Sequence, residues 1–441
     1  MKRSIYNIFI PTKNHSKYIA YNTLVGSVSV VNTELKDAIL HNELPQDEEI
    51  LNELRETNLV VDDKIDEKKV YKYMHNRYKH DNSYQHFCVV ITYDCNFRCP
   101  YCYQGANKSR EPMSDEMVDK VISFIKNTCM ERKARDLEIT LYGGEPFLCP
   151  EICKKLVEET SKWAGVHGIV FHLSALTNGS LLTKELVDWL SSYNARVQIP
   201  LDGFKTVHDK YRRYCYENTG SYEDLIKVFE YFKDSDASLH LRISVTTETY
   251  PTMEQMLDDL KRRGLTHLHP DFCYITSFVE ACNSFSKYCL KDSELYKVLP
   301  ELWRMSRKKG FKTDLLRPRV SPLPCSSIAD GSYVIDPIGD IYKCWELVIQ
   351  KDHVVGAISE NGELEMTPPY HDTLARDPTT IDGCKDCKFL PACSGGCICK
   401  ACWNNGTYHA SGCGSVRFLL IEQLKAYLLQ EYPEKFSKLL E

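Results

Sequence analysis

Cys95, Cys99 and Cys102 lie within the segment YDCNFRCPYCYQG, three thiols at spacings of four and three residues. A closed tetrahedral zinc site or a closed iron–sulfur cluster takes four protein ligands. Three thiolates instead hold three irons of a [4Fe–4S] cluster and leave the fourth iron open to a chelating group from outside the chain. Zinc is the alternative occupant, but no His or Asp stands at zinc-ligand spacing beside 95–102. A second, denser set follows at Cys384, Cys387, Cys393, Cys397, Cys399, Cys402 and Cys413, with Cys325 and Cys344 upstream of it. Ten of the twenty cysteines therefore fall in two tight sets, a distribution that scattered packing thiols do not produce.

The surrounding composition restricts the alternatives. A chain of 441 residues has room for two or three domains. Hydrophobic residues at 43% and charged residues at 26% are ordinary for a soluble protein, and a net charge of -6 gives no reason to expect nucleic acid as a partner. The apolar run near the N-terminus is shorter than a signal-peptide core, and no stretch reaches the ~18 apolar residues that span a bilayer. The expectation is a cytoplasmic protein with no membrane partner. In a reducing compartment, clustered cysteines are metal or cluster ligands rather than disulfides. Cys88, Cys129, Cys149, Cys153, Cys215, Cys273, Cys282 and Cys289 lack ligand spacing and read as buried thiols.

The elements that must position these residues change character along the chain. Residues 1–80 combine Ile-, Val- and Tyr-rich strands (IYNIFIPT, KYIAYN, GSVSVVN) with a helix from NTELKDAIL and another from PQDEEILNELRETNLVV; a short helix and linker follow. A β-ribbon followed by helices is a winged-helix-like pattern, suited to a structural cap or a docking platform. From residue 86 strand–loop–helix units repeat, beginning with the continuous apolar strand FCVVITY and a helix capped by Ser114. Six such units over 86–310 predict a partial (β/α)6 TIM barrel, whose chemistry sits at the C-terminal ends of the strands. The loops CNFRCPYC, GGEP, TNG and DG all fall at those ends, so one mouth gathers three cysteines, several glycines, Glu145 and Asn178. Residues 320–415 are loop-rich, with a β-hairpin around PIGD and a cysteine segment too poor in apolar residues to fold without metal. An amphipathic helix over 416–441 closes the chain.

The spacing CxxxCxxC after the first barrel strand, with Tyr101 before the last Cys and GGEP after the next strand, resembles the radical S-adenosylmethionine (SAM) superfamily. The resemblance implies that SAM chelates the open iron through its amino and carboxylate groups. One electron then cleaves it to a 5′-deoxyadenosyl radical that abstracts hydrogen from a substrate. It further implies that Gly143, Gly144, Glu145 and Pro146 contact the amino end of SAM. Tyr101 would lie near the adenine and Thr177, Asn178 and Gly179 near the ribose. Arg212 would pair with the carboxylate, and its neighbour Arg213 is the alternative. The order Cys325, Gly339-x4-Cys344, Cys384-x2-Cys387-x5-Cys393-x3-Cys397, Cys413 resembles the SPASM domain, which carries two auxiliary [4Fe–4S] clusters, making three clusters in all. In that pattern Cys384, Cys387, Cys393 and Cys413 close one cluster, and Cys325, Cys344 and Cys397 bind the other. The stretch LRPRVSPLP before Cys325 has no further cysteine, so this cluster has an open iron unless Cys399 or Cys402 completes it. Residues 1–80 resemble the RiPP recognition element, which binds the leader of a ribosomally made precursor peptide by strand addition. An electron donor such as flavodoxin or ferredoxin completes the expected partners, and oxidisable clusters imply anaerobic operation.

Three activities compete. A thioether synthase of the ranthipeptide or sactipeptide type would use an open auxiliary iron to hold a substrate thiolate, and the cysteine count favours it. A carbon–carbon crosslinking peptide cyclase needs no open iron. A sulfatase-maturing enzyme carries an Asp directly after the cysteine that matches Cys344, where this chain has Trp345. A non-catalytic zinc scaffold would keep the cysteines but has no use for GGEP and TNG.

Overall fold

The computed structural model describes residues 1–104, 111–275, 280–313, 323, 325–414 and 416–441. Most of LRPRVSPLP and the Cys282 side chain lie outside the described residues. The chain divides into two units, the first comprising Met1–His80, Leu315–Ala329 and Arg376–Glu441, the second Asp81–Asp314 and Asp330–Ala375.

In the first unit, alternation of apolar and polar residues builds an antiparallel sheet of β2 (Asn7–Pro11), β3 (Lys17–Asn22) and β4 (Val28–Asn32). A short ribbon pairs β1 (Lys2–Arg3) with β5 (Val60–Val61). Three capped helices follow the strands. Asn32 caps α1 (Thr33–His41), Asp47 caps α2 (Glu48–Glu56) and Asp66 caps α3 (Glu67–Lys79), each accepting backbone N–H bonds through its side chain. The helical pattern around 48–61 stops earlier than its apolar residues suggest: Asn58 takes a left-handed conformation (φ 54°), and Val60 and Val61 are strand, not helix.

This sheet is covered on both faces. Ala20 and Val31 pack with Ile39, Leu54 and Leu59 from the helical side. Ile8, Ile10, Ile19 and Tyr21 pack against Leu420, Leu424, Leu428 and Phe436 near the C-terminus. Burying a side chain such as Ile19 or Leu424, each 0% exposed, contributes roughly 1.5–3 kcal/mol. The α3 side chain Tyr71 donates to Ser394 Oγ at 3.0 Å, and Lys79 Nζ donates to the Arg376 carbonyl at 2.9 Å. Residues 1–80 therefore fold together with the C-terminal cysteine segment rather than as a free-standing module. The helix expected over the last residues is two, Val416–Glu431 and Pro433–Leu440, because Pro433 cannot continue the first.

The second unit is built on one ten-stranded sheet. Its parallel strands are β6 (Tyr84–Val90), β7 (Asp136–Tyr142), β8 (Val170–Leu176), β9 (Arg196–Pro200), β10 (Ser238–Val245) and β11 (His269–Tyr274), joined in sequence order. The connecting helices include Asp115–Glu131, capped by Ser114 as expected, and Pro150–Val166. Phe87, Cys88, Val89 and Val90 are fully buried, which explains the unbroken apolar run of β6. The six-strand partial barrel expected from sequence is present. The hairpin around PIGD is also present, as β12 (Ser332–Ile335) and β13 (Asp340–Tyr342), but β12 pairs in parallel with β6. Strands Gly356–Ile358 and Leu364–Met366 continue the same sheet. Of the scattered thiols, Cys88, Cys129 and Cys153 are buried, whereas Cys149, Cys215, Cys273 and Cys289 are partly exposed and correct the expectation for those four.

Candidate active site

All six parallel strands point the same way, so the residues after β6, β7, β8 and β9 share one edge of the sheet. After β7 the backbone turns at Gly143 (φ 146°), where a Cβ would lie 2.3 Å from the Thr92 carbonyl oxygen; at Gly144 it would lie 2.2 Å from the Asp94 carbonyl oxygen. Only glycine fits, because Gly144 N and Glu145 N donate to the Thr92 and Asp94 carbonyls at 2.8 and 2.9 Å. The two glycines were expected to admit a ligand; they also lock the GGEP turn onto the backbone that leads into Cys95.

Glu145 is 0% exposed. Its Oε1 accepts from Thr177 Oγ1 at 2.7 Å and Phe147 N at 3.1 Å, and its Oε2 accepts from Asn178 N at 2.6 Å. The carboxylate therefore fastens the TNG loop after β8 to the GGEP turn after β7, with Pro146 starting the short turn Pro146–Leu148. Burial pushes the Glu145 carboxyl up to about 7, against the pull of its three hydrogen bonds. Thr177 Oγ1 also accepts from Gly179 N at 3.0 Å. Asn178 is thereby held so that its Nδ2 lies 2.7 Å from Asn96 Oδ1 and 3.6 Å from Cys95 Sγ.

The cysteine loop is fastened on its other side by the segment after β9. Cys215 N donates to the Asn96 carbonyl at 2.8 Å, and Arg98 N to the Arg213 carbonyl at 3.1 Å. Arg212 faces inward: its Nε donates to Asp202 Oδ2 at 2.6 Å and its Nη1 lies 3.9 Å from Cys99 Sγ. Arg213 faces outward, with its Nε on the Asp209 carbonyl. Tyr101 donates its hydroxyl to the same Asp202 carboxylate, and its ring centroid is 5.0 Å from that of Phe285. Burial opposes the charge on Asp202, but Arg212 and Tyr101 hold its carboxyl below the usual range. Burial would likewise lower the Arg212 pKa, yet Asp202 holds it above its ordinary value. Burial, with help from Arg212, lowers His208 to about 3, so its ring is neutral. Its Nδ1 accepts from Asp202 N at 3.1 Å, which leaves Nε2 to donate to Ser221 Oγ at 3.0 Å.

Cys95, Cys99, Tyr101, the GGEP turn, the TNG loop and Arg212 thus form one connected network, and Cys102 closes the cysteine loop through a 3.2 Å bond from its N–H to the Cys99 carbonyl. Burial raises the Cys95 thiol to about 11 and the Cys99 thiol to about 12. Without a bound metal these thiols are neutral, and a metal would supply the charge that makes them thiolates. Among the described residues no three His, Cys, Asp or Glu side chains converge on a single ion; a [4Fe–4S] cluster places its thiolates on separate irons instead. Asn178 and Arg212 bring N–H donors to two of the sulfurs, as ligands to a cluster require. The residues fit the group. Asp202 and His208 were missed from sequence; DG looked like turn punctuation, and only their contacts reveal a second role.

In the first unit, Cys384 is buried, Cys387, Cys393 and Cys413 are half-buried, and Cys325 and Cys397 are exposed; Cys344 follows β13 in the second unit. Ser394, Gly395 and Gly396 all have positive φ, which turns the chain sharply between Cys393 and Cys397. Cys399 is buried and accepts from Trp403 Nε1 at 3.0 Å.

Residues 89–260 match the family model of the Radical SAM superfamily. The chain is 24% identical over 321 residues to the cysteine-type anaerobic sulfatase-maturating enzyme of Clostridium perfringens, covering 69% of this chain and 85% of that one. The solved structure of native anSMEcpe with bound AdoMet superposes with a TM-score of 0.62 at 20% identity, covering 79% of this chain and 97% of that one. Streptococcus suis SuiB bound to its precursor peptide SuiA gives a TM-score of 0.55 at 14% identity, covering 94% of this chain and 99% of that one. No helix among the described residues is long and apolar enough to cross a membrane.

Proposed function

We propose that this chain, whose residues 89–260 match the Radical SAM superfamily model, is a radical SAM enzyme that matures a ribosomally made precursor peptide by an intramolecular thioether from a cysteine sulfur to a carbon. The observation that carries the reading is the convergence of Asn178 and Arg212 on the sulfurs of Cys95 and Cys99. In this reading Cys95, Cys99 and Cys102 hold the SAM-cleaving cluster, and the C-terminal cysteines hold two more. The first cluster, when bound, supplies the single electron that cleaves SAM to a 5′-deoxyadenosyl radical. The chain's own residues position SAM: Gly143, Gly144 and Pro146 shape the wall at its amino end, and Glu145 acts through Thr177 and Asn178. Gly179 lies at the ribose side, Tyr101 at the adenine side, and the Arg212–Asp202 pair fixes the cation at the carboxylate side.

The peptide part of the reading rests on the first unit. Among the described residues β4 has only β3 as a strand partner, and its other edge is available for strand addition. Beside it lies a groove of about 900 Å3 lined by apolar residues such as Val31, Leu35 and Ile50, by Lys17, Lys435 and Lys438, and by one acidic residue, Glu34. That chemistry suits an extended leader with acidic and apolar residues. The anSMEcpe likeness covers 79% of this chain and the SuiB likeness 94%, which favours a precursor-peptide substrate. The thioether is favoured by the sequence, in which the stretch LRPRVSPLP before Cys325 carries no further cysteine. Cys399, whose sulfur accepts from Trp403 Nε1 at 3.0 Å, and Cys402 are the two candidates for a fourth ligand.

Sulfatase maturation is the second reading, favoured by the curated Clostridium relative and opposed by Trp345 after Cys344. One experiment separates the possibilities. Anaerobically reconstituted enzyme, SAM, a reductant such as reduced flavodoxin and the peptide encoded beside the gene should yield 5′-deoxyadenosine and a peptide lighter by two hydrogens with one cysteine no longer alkylated by iodoacetamide. A crosslinked product with every thiol still alkylated indicates a carbon–carbon link and refutes the thioether. Continued 5′-deoxyadenosine formation after replacement of Cys95, Cys99 and Cys102 by Ala refutes the cluster assignment.

A further inference from the structure

Arg376 belongs to none of the motifs discussed above, yet it is among the largest fully buried side chains of the molecule, at 0% exposure. Its guanidinium is spread over the cysteine loops. Nη2 donates to the Gly395 carbonyl at 2.8 Å, between Cys393 and Cys397; Nη1 donates to the carbonyls of Tyr408 and, at 2.8 Å, Ala410, on the approach to Cys413. Gly395, with φ 80°, is required for this approach, since a Cβ there would lie 2.9 Å from Nη2. Nε has no acceptor, and no carboxylate among the described residues pairs with the cation. Burial lowers the Arg376 pKa, and negative charge on Cys384, Cys325, Cys397 and Cys393 acts in the opposite direction.

A guanidinium taken out of water without a counter-charge is strongly unfavourable, and three carbonyls offset only part of that cost. Neutral thiols supply no counter-charge. Thiolates bound to an iron–sulfur cluster do, and the potential of such a cluster depends on nearby charge and on hydrogen bonds to its sulfurs. We propose that Arg376 is the buried counter-cation of the auxiliary iron–sulfur region, a positioning residue that sets the Cys393–Cys397 and Cys413 loops and holds the auxiliary reduction potential up. The inference rests on the C-terminal cysteines holding clusters, and the Nε–H of Arg376 has no acceptor among the described residues.

The test uses the full chain, reconstituted anaerobically, with Cys95, Cys99 and Cys102 replaced by Ala so that only auxiliary signals remain. Iron content and the reduced-state electron paramagnetic resonance (EPR) spectrum of that protein come first; absence of auxiliary iron overturns the cluster reading itself, and the inference falls with it. With clusters present, Arg376→Gln should lower the auxiliary midpoint potential in an EPR-monitored titration, and Arg376→Lys should restore most of the shift. A purely structural role would reduce iron content in both variants and leave the potential of the remaining clusters unmoved. Arg376→Gln with full iron and an unchanged midpoint overturns the inference. Should both variants fail to fold, pulsed EPR of the Arg376-intact protein grown with 15N-arginine decides: an arginine nitrogen coupled to a reduced auxiliary cluster supports it, and no coupling overturns it.

Discussion

Replacing Glu145 by Gln should change how stability depends on pH, by an amount that follows from the burial of this carboxyl. Its ordinary value of 4.5 rises to about 7 in the fold, a difference of about 2.5 units or, at ~1.4 kcal/mol per unit, roughly 3 kcal/mol. Below pH 4.5 the group is protonated in both states and costs nothing. Between 4.5 and 7 the unfolded chain releases a proton that the folded chain keeps, so stability falls as pH rises, and above 7 the loss is complete. About 2 kcal/mol of it falls between pH 5.5 and 8. Glutamine does not titrate, so Glu145→Gln lacks this slope. It has its own constant cost, since an amide NH2 in place of Oε2 faces the Asn178 N–H and leaves it without an acceptor, about 1–3 kcal/mol. The variant should therefore be the less stable protein at pH 5.5, with the gap narrowing toward pH 8. At roughly 2 °C per kcal/mol for a unit of this size, the difference between the two melting temperatures should shrink by about 4 °C over that range. Differential scanning fluorimetry of iron-loaded protein at fixed ionic strength measures it, and the comparison cancels every other titrating group. A gap that stays constant with pH would refute the burial argument.

Gly144→Ala forces a methyl group to 2.2 Å from the Asp94 carbonyl, so the Cys95 loop must move; we expect a loss of at least 1–3 kcal/mol, reduced barrel-cluster iron and loss of 5′-deoxyadenosine formation, and normal turnover would show that the loop is not locked as described. Arg212→Met removes one partner of a buried ion pair and should cost about 3–5 kcal/mol along with SAM cleavage, whereas Arg213→Met, on the exposed side, should stay within ~0.5 kcal/mol of wild type. The opposite ranking in urea denaturation and 5′-deoxyadenosine assays would reverse the assignment of the inward arginine.

What was legible in the chain and what was not differ by the physics involved. The barrel strands announce themselves because a strand buried on both faces must be apolar throughout, and the loops at their ends because turns and close approaches require Gly, Asn and Asp. The hairpin at 332–342 carries its own turn and was equally plain. Its pairing with β6 was not, because the register that sets Ser332 opposite His86 is a contact between segments 246 residues apart with no local signature. The same holds for Ile8 and Ile10, whose alternation reveals a strand but not that Leu424 and Phe436 cover it. Charge is the hardest to foresee. Cysteine spacing encodes a ligand count, since each ligand is a residue type at a position. Compensation of charge is encoded only in three dimensions: Asp202 resembles a turn residue and Arg376 a solvated surface cation until burial shows that neither has water to turn to. A buried ion must find its partner within the molecule or within what the molecule binds. Asp202 finds Arg212 and Tyr101, both in the chain. Among the described residues Arg376 finds only carbonyls, and in the proposal above the missing charge arrives with the bound group.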